Sequence, residues 1–396
     1  MAQNTFPDIR SYRPGNEVRW LTSGEDFFTH VNGLIAGAQE LIHLQFYIFE
    51  PDDTGNETIE RLIEAAKRGV KVFVVIDAFG SNKMTKKKEQ EMKSAGINIR
   101  RFAPFMENKF IFIGRRLHHK ILVVDDKTAL VGGINIADKY RGTAKEVAWV
   151  DFAVMVKGNL CVDLSKICNR IWLKQFEAQI RFNKPKLPKF SKMEPGVTLI
   201  RVVENDWLRG KKAITVSHRR AFKAAKSSIV IVGSYFLPGI RYRQLMKKTA
   251  KRGVKIQILL TGFADVPMVK NATRYLYSWL LRNDITFYEI KDRMLHGKAM
   301  VVDDIWTTIG SYNINDLSIY NNVECNIDVL DEGFAMDFKK HVMDLIEKQS
   351  VLITKEDYEQ KINLWGKFYD WISYQVMIFS ARILLFFTHK INRREE

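Results

Sequence analysis

Two stretches of the chain place a histidine, a lysine and an aspartate at one fixed spacing. His118, Lys120 and Asp125 follow the pattern H-x-K-x4-D, and Gly132-Gly133-Ile134-Asn135 follows after six intervening residues. His296, Lys298 and Asp303 repeat the pattern, with Gly310-Ser311-Tyr312-Asn313 at the same distance. Side chains two apart on a β-strand share a face, so each H-x-K presents an imidazole beside an ammonium. One can act on phosphorus while the other holds phosphoryl oxygens, a task suited to lysine because its charge is compact. Two histidines suffice for a two-step phosphodiester exchange. One attacks phosphorus; the other protonates the leaving alkoxide and then deprotonates the incoming alcohol. Glycine in each tail lets backbone approach closely and asparagine places an amide at the rim. Lys120, Lys298, Asn135 and Asn313 are therefore expected to cradle phosphoryl oxygens. Asp125 and Asp303 complete the motifs and are expected to orient local structure rather than carry protons. His119 falls on the alternate face and reads as structural. Gly133 stands where the second copy has Ser311, so one half alone supplies that hydroxyl.

A single H-x-K-x4-D carries little weight. Two copies with matching Gly-[Gly/Ser]-x-Asn tails carry much more. A duplicated unit without chemistry would keep its apolar positions and let polar ones drift, whereas here the polar residues match best. The chain has no G-x-x-x-x-G-K-[ST] loop and no G-x-G-x-x-G, so no nucleotide is expected. Cys161, Cys168 and Cys325 form no C-x-x-C pair and leave an odd count. Neither a disulfide nor a metal site is expected, and a reducing compartment fits.

Both motifs sit at the same place in a longer internal repeat. Ala66-Lys67-Arg68-Gly69-Val70-Lys71-Val72 returns as Ala250-Lys251-Arg252-Gly253-Val254-Lys255-Ile256. Each copy follows a helix-like segment and enters an apolar strand, VFVVIDAFG or IQILLTGFAD; upstream lie LIHLQFYIF and SIVIVGSYFL. Strand–helix–strand alternation in both halves predicts two α/β units with mixed or largely parallel sheets. The Pro- and Lys-rich stretch 181–196 reads as a linker. The expected division is an N-terminal segment (1–20), a first domain (21–180), the linker, a second domain (197–350) and a C-terminal segment (351–396).

With these motifs in place, the sequence resembles the phospholipase D superfamily and, within it, the bacterial cardiolipin synthases, over roughly residues 20–350. The resemblance implies two α-β-α-β-α sandwich domains forming a pseudo-twofold dimer within one chain, with both motifs at one active site. Trp149-Val150-Asp151 resembles the W-x-D that follows the first motif in the synthases, and Asn322-Val323-Glu324 the N-x-E that follows the second. The -SYFLP- at 234–238 resembles their aromatic-Pro turn. Asp151 and Glu324 have a physical use, since a carboxylate on Nδ1–H fixes a histidine tautomer and raises the basicity of Nε2. Glu146 competes with Asp151 in the first half and ranks below it. The resemblance implies His118 as nucleophile and His296 as acid/base, joining two phosphatidylglycerols into cardiolipin with release of glycerol. A hydrolase or a nuclease could use the same residues.

The 62 basic and 45 acidic residues give a net charge of +17, which favours a polyanionic partner without choosing between nucleic acid and lipid. The tail settles the expectation on an anionic phospholipid membrane holding phosphatidylglycerol and cardiolipin, with no nucleic acid. Residues 371–388 are broken by Arg382; Trp365, Phe368, Tyr369, Trp371 and Tyr374 cluster at one edge, and Lys390, Arg393 and Arg394 follow. Aromatics at one edge and cations at the other suit an interfacial anchor at the cytoplasmic face of a bacterial membrane. A spanning helix and a helix packed on the core are the alternatives. A second apolar surface is expected at 102–116, or else a buried strand. The N-terminus lacks an apolar signal-peptide core. Oligomeric state is not legible.

Overall fold

The computed structural model describes residues 9–104, 106–107, 110–111, 115–173, 197–263, 265–315, 318, 322–361 and 363–392; the expected linker lies outside them. In the first half, seven strands form one mixed sheet. Its order is Asn16–Thr22, Phe152–Gly158, Thr128–Gly132, Lys120–Val124, Leu41–Phe46, Lys71–Asp77 and Asn98–Phe102. The last three run parallel, linked by crossover helices Asp53–Lys67 and Lys86–Ser94, and the other four form antiparallel pairs. The second half repeats this order with Leu199–Asp206, Asn322–Leu330, Trp306–Gly310, Lys298–Val302, Ser228–Gly233, Lys255–Thr261 and Thr286–Ile290. Short edge strands Lys211–Lys212 and Ser350–Leu352 extend it.

The repeat found in sequence has a local cause. Gly69 and Gly253 adopt φ of +92° and +86°, a region that glycine enters without a Cβ penalty, and each lets a helix turn into its strand. The preceding arginine braces the turn. Arg68 donates to the carbonyls of Ile35, Ala36 and Ala38, and Arg252 to those of Phe222 and Ala225. Matching polar residues here therefore serve folding, not chemistry.

The two sheets face each other across one apolar layer. Ile121, Val123, Val131, Val154 and Val156 meet Val230, Val232, Val301, Ile327 and Val329 there. Helices Leu160–Trp172 and Glu332–Gln349 fill the same layer through Leu164, Ile167, Phe338 and Val342. Outer helices cover the far faces over two further clusters, which completes an α-β-α-β-α sandwich. Cys161, Cys168 and Cys325 are buried free thiols.

Met106–Glu107 pairs antiparallel with Phe110–Ile111. The helix Leu364–Asn392 docks on the second half. Asp370 pairs with Arg274 at 2.7 Å, and Tyr374 and Met377 pack beside Val269, Ala272 and Leu276. Trp365, Phe368, Tyr369, Trp371, Ile372, Val376 and Phe379 remain exposed on its other face. Among the described residues no helix is long and apolar enough to cross a membrane. The tail helix thus combines a packed face with an exposed aromatic one.

Asp125 and Asp303 lie at the far end of their strands, about 16 Å from the lysines at roughly 3.3 Å per residue. Asp125 and Asp126 have φ of +52° and +54°, and Asp303 and Asp304 +52° and +56°; such paired positive φ values make tight hairpin turns that favour Asp, Asn and Gly. Asp125 accepts the N–H groups of Gln39, Glu40 and Leu41, and Asp303 those of Lys226, Ser227 and Ser228. Each carboxylate ties its hairpin to the start of the neighbouring parallel strand. Partial burial pushes both carboxyl pKa values up, but these bonds together outweigh it and hold both below the usual value. Asp125→Ala and Asp303→Ala should each lose about 1–3 kcal/mol of stability, read by urea denaturation, while the folded fraction keeps near wild-type turnover. The loss should be full above the unfolded carboxyl pKa of roughly 4 and fade as pH falls through the lower folded value.

Candidate active site

His118 and His296 stand where the parallel strands end. Lys120 pairs with Phe46, the last residue of the antiparallel neighbour Leu41–Phe46, and Lys298 pairs with Gly233 of Ser228–Gly233 in the same way. All four side chains are buried. The two halves then exchange partners. His118 N–H donates to the carbonyl of Val323, and His296 N–H donates to that of Val150, at 3.0 and 2.7 Å. The next residue in each case is a carboxylate, Glu324 or Asp151. Glu324 Oε2 lies 2.8 Å from His118 Nδ1, and Asp151 Oδ2 lies 2.6 Å from His296 Nδ1. The carboxylate of each half therefore serves the histidine of the other, an arrangement that spacing along the chain does not reveal. Glu146 is exposed in a turn closed by Thr143.

The two dyads are not equivalent. Glu324 accepts from the Ser311 hydroxyl at 2.5 Å and from Asn322 at 2.9 Å, and the Ser311 carbonyl lies 3.0 Å from His118 Nδ1. Asp151 is one methylene shorter and accepts from its neighbour's N–H, that of Phe152, at 2.7 Å. A Cβ on Gly133 would fall 2.2 Å from Asp151 Oδ1. Glycine is required there because the shorter carboxylate fills the space that Ser311 occupies in the other half.

Burial governs the protonation states. It pushes both histidine pKa values down, His296 well below its usual value, with the nearby lysines adding to the effect and Glu324 partly opposing it at His118. Both imidazoles are therefore neutral at rest: Nδ1–H of His118 faces Glu324 and leaves its Nε2 with a free lone pair, whereas a protonated Asp151 can donate to Nδ1 of His296 and leave the ring proton on Nε2. Burial raises Asp151 to about 7. It also lowers Lys120 to about 7, helped by Lys298, and lowers Lys298 to about 8. An arriving phosphodiester anion would favour the charged form of both lysines.

The expected cradle needs correction in part. Lys120 donates to the His118 carbonyl at 2.9 Å, and Lys298 donates to the His296 carbonyl and lies 2.8 Å from its Nδ1. Both ammonium groups thus stay in the site. Asn135 is held by protein partners: its amide accepts from Ile48 N–H and donates to the Tyr140 hydroxyl, at 3.0 and 2.8 Å. Asn313 accepts from Ser234 at 3.0 Å. Asp125 and Asp303, counted with the motifs in sequence, are turn residues remote from the histidines. His119 is buried and faces Gln45 at 3.1 Å.

Several neighbours escaped the sequence reading. Tyr47 sets its ring edge on His118 at 4.9 Å and lies 5.2 Å from Lys120 Nζ. Tyr235 does the same for His296 and Lys298, at 5.9 and 6.0 Å. Asp77 is fully buried and accepts from Leu117 N–H at 2.9 Å, fixing the residue before His118. The two tyrosines follow corresponding strands, which was the available signal.

A mixed α/β sandwich with paired histidine–carboxylate dyads between its halves defines an enzyme of the phospholipase D superfamily. Residues 31–172 and 219–346 match the family described as cardiolipin synthase, PLD-like domain, and the chain belongs to that family. It is 31% identical over 347 residues to cardiolipin synthase B of Salmonella typhi, covering 85% of this chain and 81% of that protein. Cardiolipin synthase 1 of Bacillus cereus is 28% identical over 385 residues, covering 95% and 72%. The fold is similar to that of phosphatidylserine synthase from Haemophilus influenzae Rd KW20, with a TM-score of 0.70 at 15% identity over 92% of this chain and 93% of that one.

If His118 is the nucleophile and His296 the acid/base, the crossed dyads predict separable effects. Glu324→Gln should slow formation of a phosphoryl adduct on His118, because it loses the anion that holds that ring. Asp151→Asn should slow the proton transfers made by His296 and let the adduct persist. Each should lower kcat by roughly 10- to 1000-fold with lipid binding little changed. Rapid-quench trapping of the alkali-stable, acid-labile adduct distinguishes the two.

Proposed function

We propose that this protein transfers a phosphatidyl group from one phosphatidylglycerol to a second, making cardiolipin and releasing glycerol. The observation that carries the reading is the pair of buried dyads, one from each combination of halves, at the ends of two equivalent strands. His118 Nε2 attacks phosphorus, forming the N–P bond as the P–O bond to glycerol breaks; His296 gives its Nε2 proton to the departing oxygen while Asp151 passes its own proton to Nδ1, and the reverse transfers follow in the second step. The glycerol hydroxyl of a second phosphatidylglycerol then yields its proton to His296 as its oxygen attacks phosphorus and the N–P bond breaks. Lys120 and Lys298 hold the phosphoryl charge. One phosphoryl bond is exchanged for another at each step, so no nucleotide is consumed. The similarity to cardiolipin synthases along nearly the whole chain supports lipid rather than nucleic-acid diesters.

The membrane contact follows from the C-terminal helix. Its exposed stripe of Trp365, Phe368, Trp371, Ile372, Val376 and Phe379 suits insertion into the head-group layer at the cytoplasmic face of a bacterial membrane, with Lys367 exposed beside it. The cluster that seats this helix also holds Tyr235, the ring beside His296. A membrane-bound helix would thus set the site's mouth against its substrate.

Purified protein mixed with phosphatidylglycerol vesicles in EDTA, without nucleotide, should produce cardiolipin and glycerol by mass spectrometry. Phosphatidic acid as the sole product would reassign the protein as a hydrolase, and loss of turnover in EDTA restored by a divalent ion would remove the two-histidine mechanism. Deleting residues 363–396 should abolish most vesicle binding and vesicle turnover while activity on soluble short-chain phosphatidylglycerol largely remains. Full-length binding should weaken only in part at high salt, since the apolar contribution is not screened.

A further inference from the structure

We propose that Tyr140 is a second hydrogen-bond donor to the alcohol oxygen that leaves, and later enters, at the His296 side of the site. The inference rests on His296 acting as the acid/base. The Tyr140 phenol oxygen lies 3.5 Å from His296 Nε2, with its ring edge-on to the imidazole at 5.3 Å. It is fully buried, and burial holds its pKa well above that of an ordinary phenol. It is therefore a donor and not a base.

The donor direction is set from behind. Asn135 Nδ2 donates to the phenol oxygen at 2.8 Å, and Asn135 Oδ1 accepts from Ile48 N–H at 3.0 Å, so the amide cannot flip without losing both bonds. One lone pair of the phenol oxygen is thereby taken, and its proton is left to point toward His296 Nε2. A separation of 3.5 Å is at the long limit for a direct hydrogen bond. It is well suited to two donors sharing one oxygen, since an atom about 2.8 Å from each fits between them. This gives Asn135 a supporting role that the motif alone did not specify: it aims a phenol.

The repeat does not duplicate the device. Five residues after Asn135 comes Tyr140, whereas five after Asn313 comes Ser318. His118 instead has its Nδ1 side elaborated, through Glu324, Ser311 and Asn322. The asymmetry fits a nucleophile at His118 and alcohol chemistry at His296. As the His118 N–P bond forms and the P–O bond breaks, the proton of His296 Nε2–H passes to the leaving oxygen while Tyr140 O–H donates to that oxygen and stays un-ionised. In the second step the incoming alcohol loses its proton to His296, with Tyr140 again bonded to the reacting oxygen.

Leaving-group dependence tests this. The full-length protein and its Tyr140→Phe variant would be given dihexanoylphosphatidyl esters of glycerol, ethanolamine, trifluoroethanol and p-nitrophenol, with kcat/KM as readout because it reports cleavage of the first ester. A donor to the leaving oxygen matters most for basic alkoxides. Tyr140→Phe should lose about 10- to 100-fold with glycerol and ethanolamine and little with p-nitrophenol, so the rate depends more steeply on leaving-group acidity. Asn135→Ala, which releases the phenol, should steepen the dependence in the same sense. An equal loss for every ester in a variant with a wild-type melting curve, or no loss for any, overturns the proposal. If the parent protein cleaves the other esters but not that of glycerol, the phosphatidylglycerol assignment fails while the Tyr140 slope is still read.

Discussion

The structure depends on a backbone exchange at the seam between halves. The carbonyls of Val323 and Val150 each receive the N–H of the opposite half's histidine. Because a carboxylate follows each of these valines, the same contact that registers the seam also delivers Glu324 to His118 and Asp151 to His296. Neither half holds a complete dyad alone. The shared apolar layer of valines and isoleucines must close before any histidine has its partner. Catalytic competence and docking of the halves are one event, which accounts for two halves being retained in one chain.

Placing two lysines, two histidines and two carboxylates in one buried space is costly, since charge is poorly solvated there. The fold limits the cost by pairing opposite signs across the seam and by holding groups near neutrality. Lys120 and Asp151 are both brought to about 7. A site poised in this way changes charge readily when an anion enters. The lysines are thus drawn to their charged form once phosphate is bound, ready to stabilise the charge that develops in the transition state.

Much of this was legible in sequence. The two motifs, the repeat, the mixed α/β halves and the tail's aromatic edge could be read because each is a local pattern. What was not legible is what depends on the third dimension. Asp125 and Asp303 are expected from the motifs to orient local structure, but the motifs do not say how: a hairpin turn with positive φ needs them, and their carboxylates tie down a neighbouring strand about 16 Å from the lysines. Arg68 and Arg252 match for the same kind of reason. Polar matching between repeats therefore mixes two selections, for chemistry and for turn geometry. The crossing of the dyads could not have been read at all, because nothing local distinguishes a carboxylate that serves its own half.

Small departures from the repeat are the more informative signal. Gly133 opposite Ser311 was visible from the start, but its meaning needs the geometry: the aspartate on one side reaches less far than the glutamate on the other, and a Cβ at 133 would collide with it. Tyr140 opposite Ser318 is a second departure, and it lies against the same histidine that Asp151 holds. Both differences fall on the His296 side. A pseudo-twofold site starts with two equivalent histidines, and a two-step exchange requires them to do unequal work. Substituting residues around one imidazole, while leaving both H-x-K pairs intact, is the least disruptive way to separate those roles, because the strands and the seam that position the dyads stay unchanged.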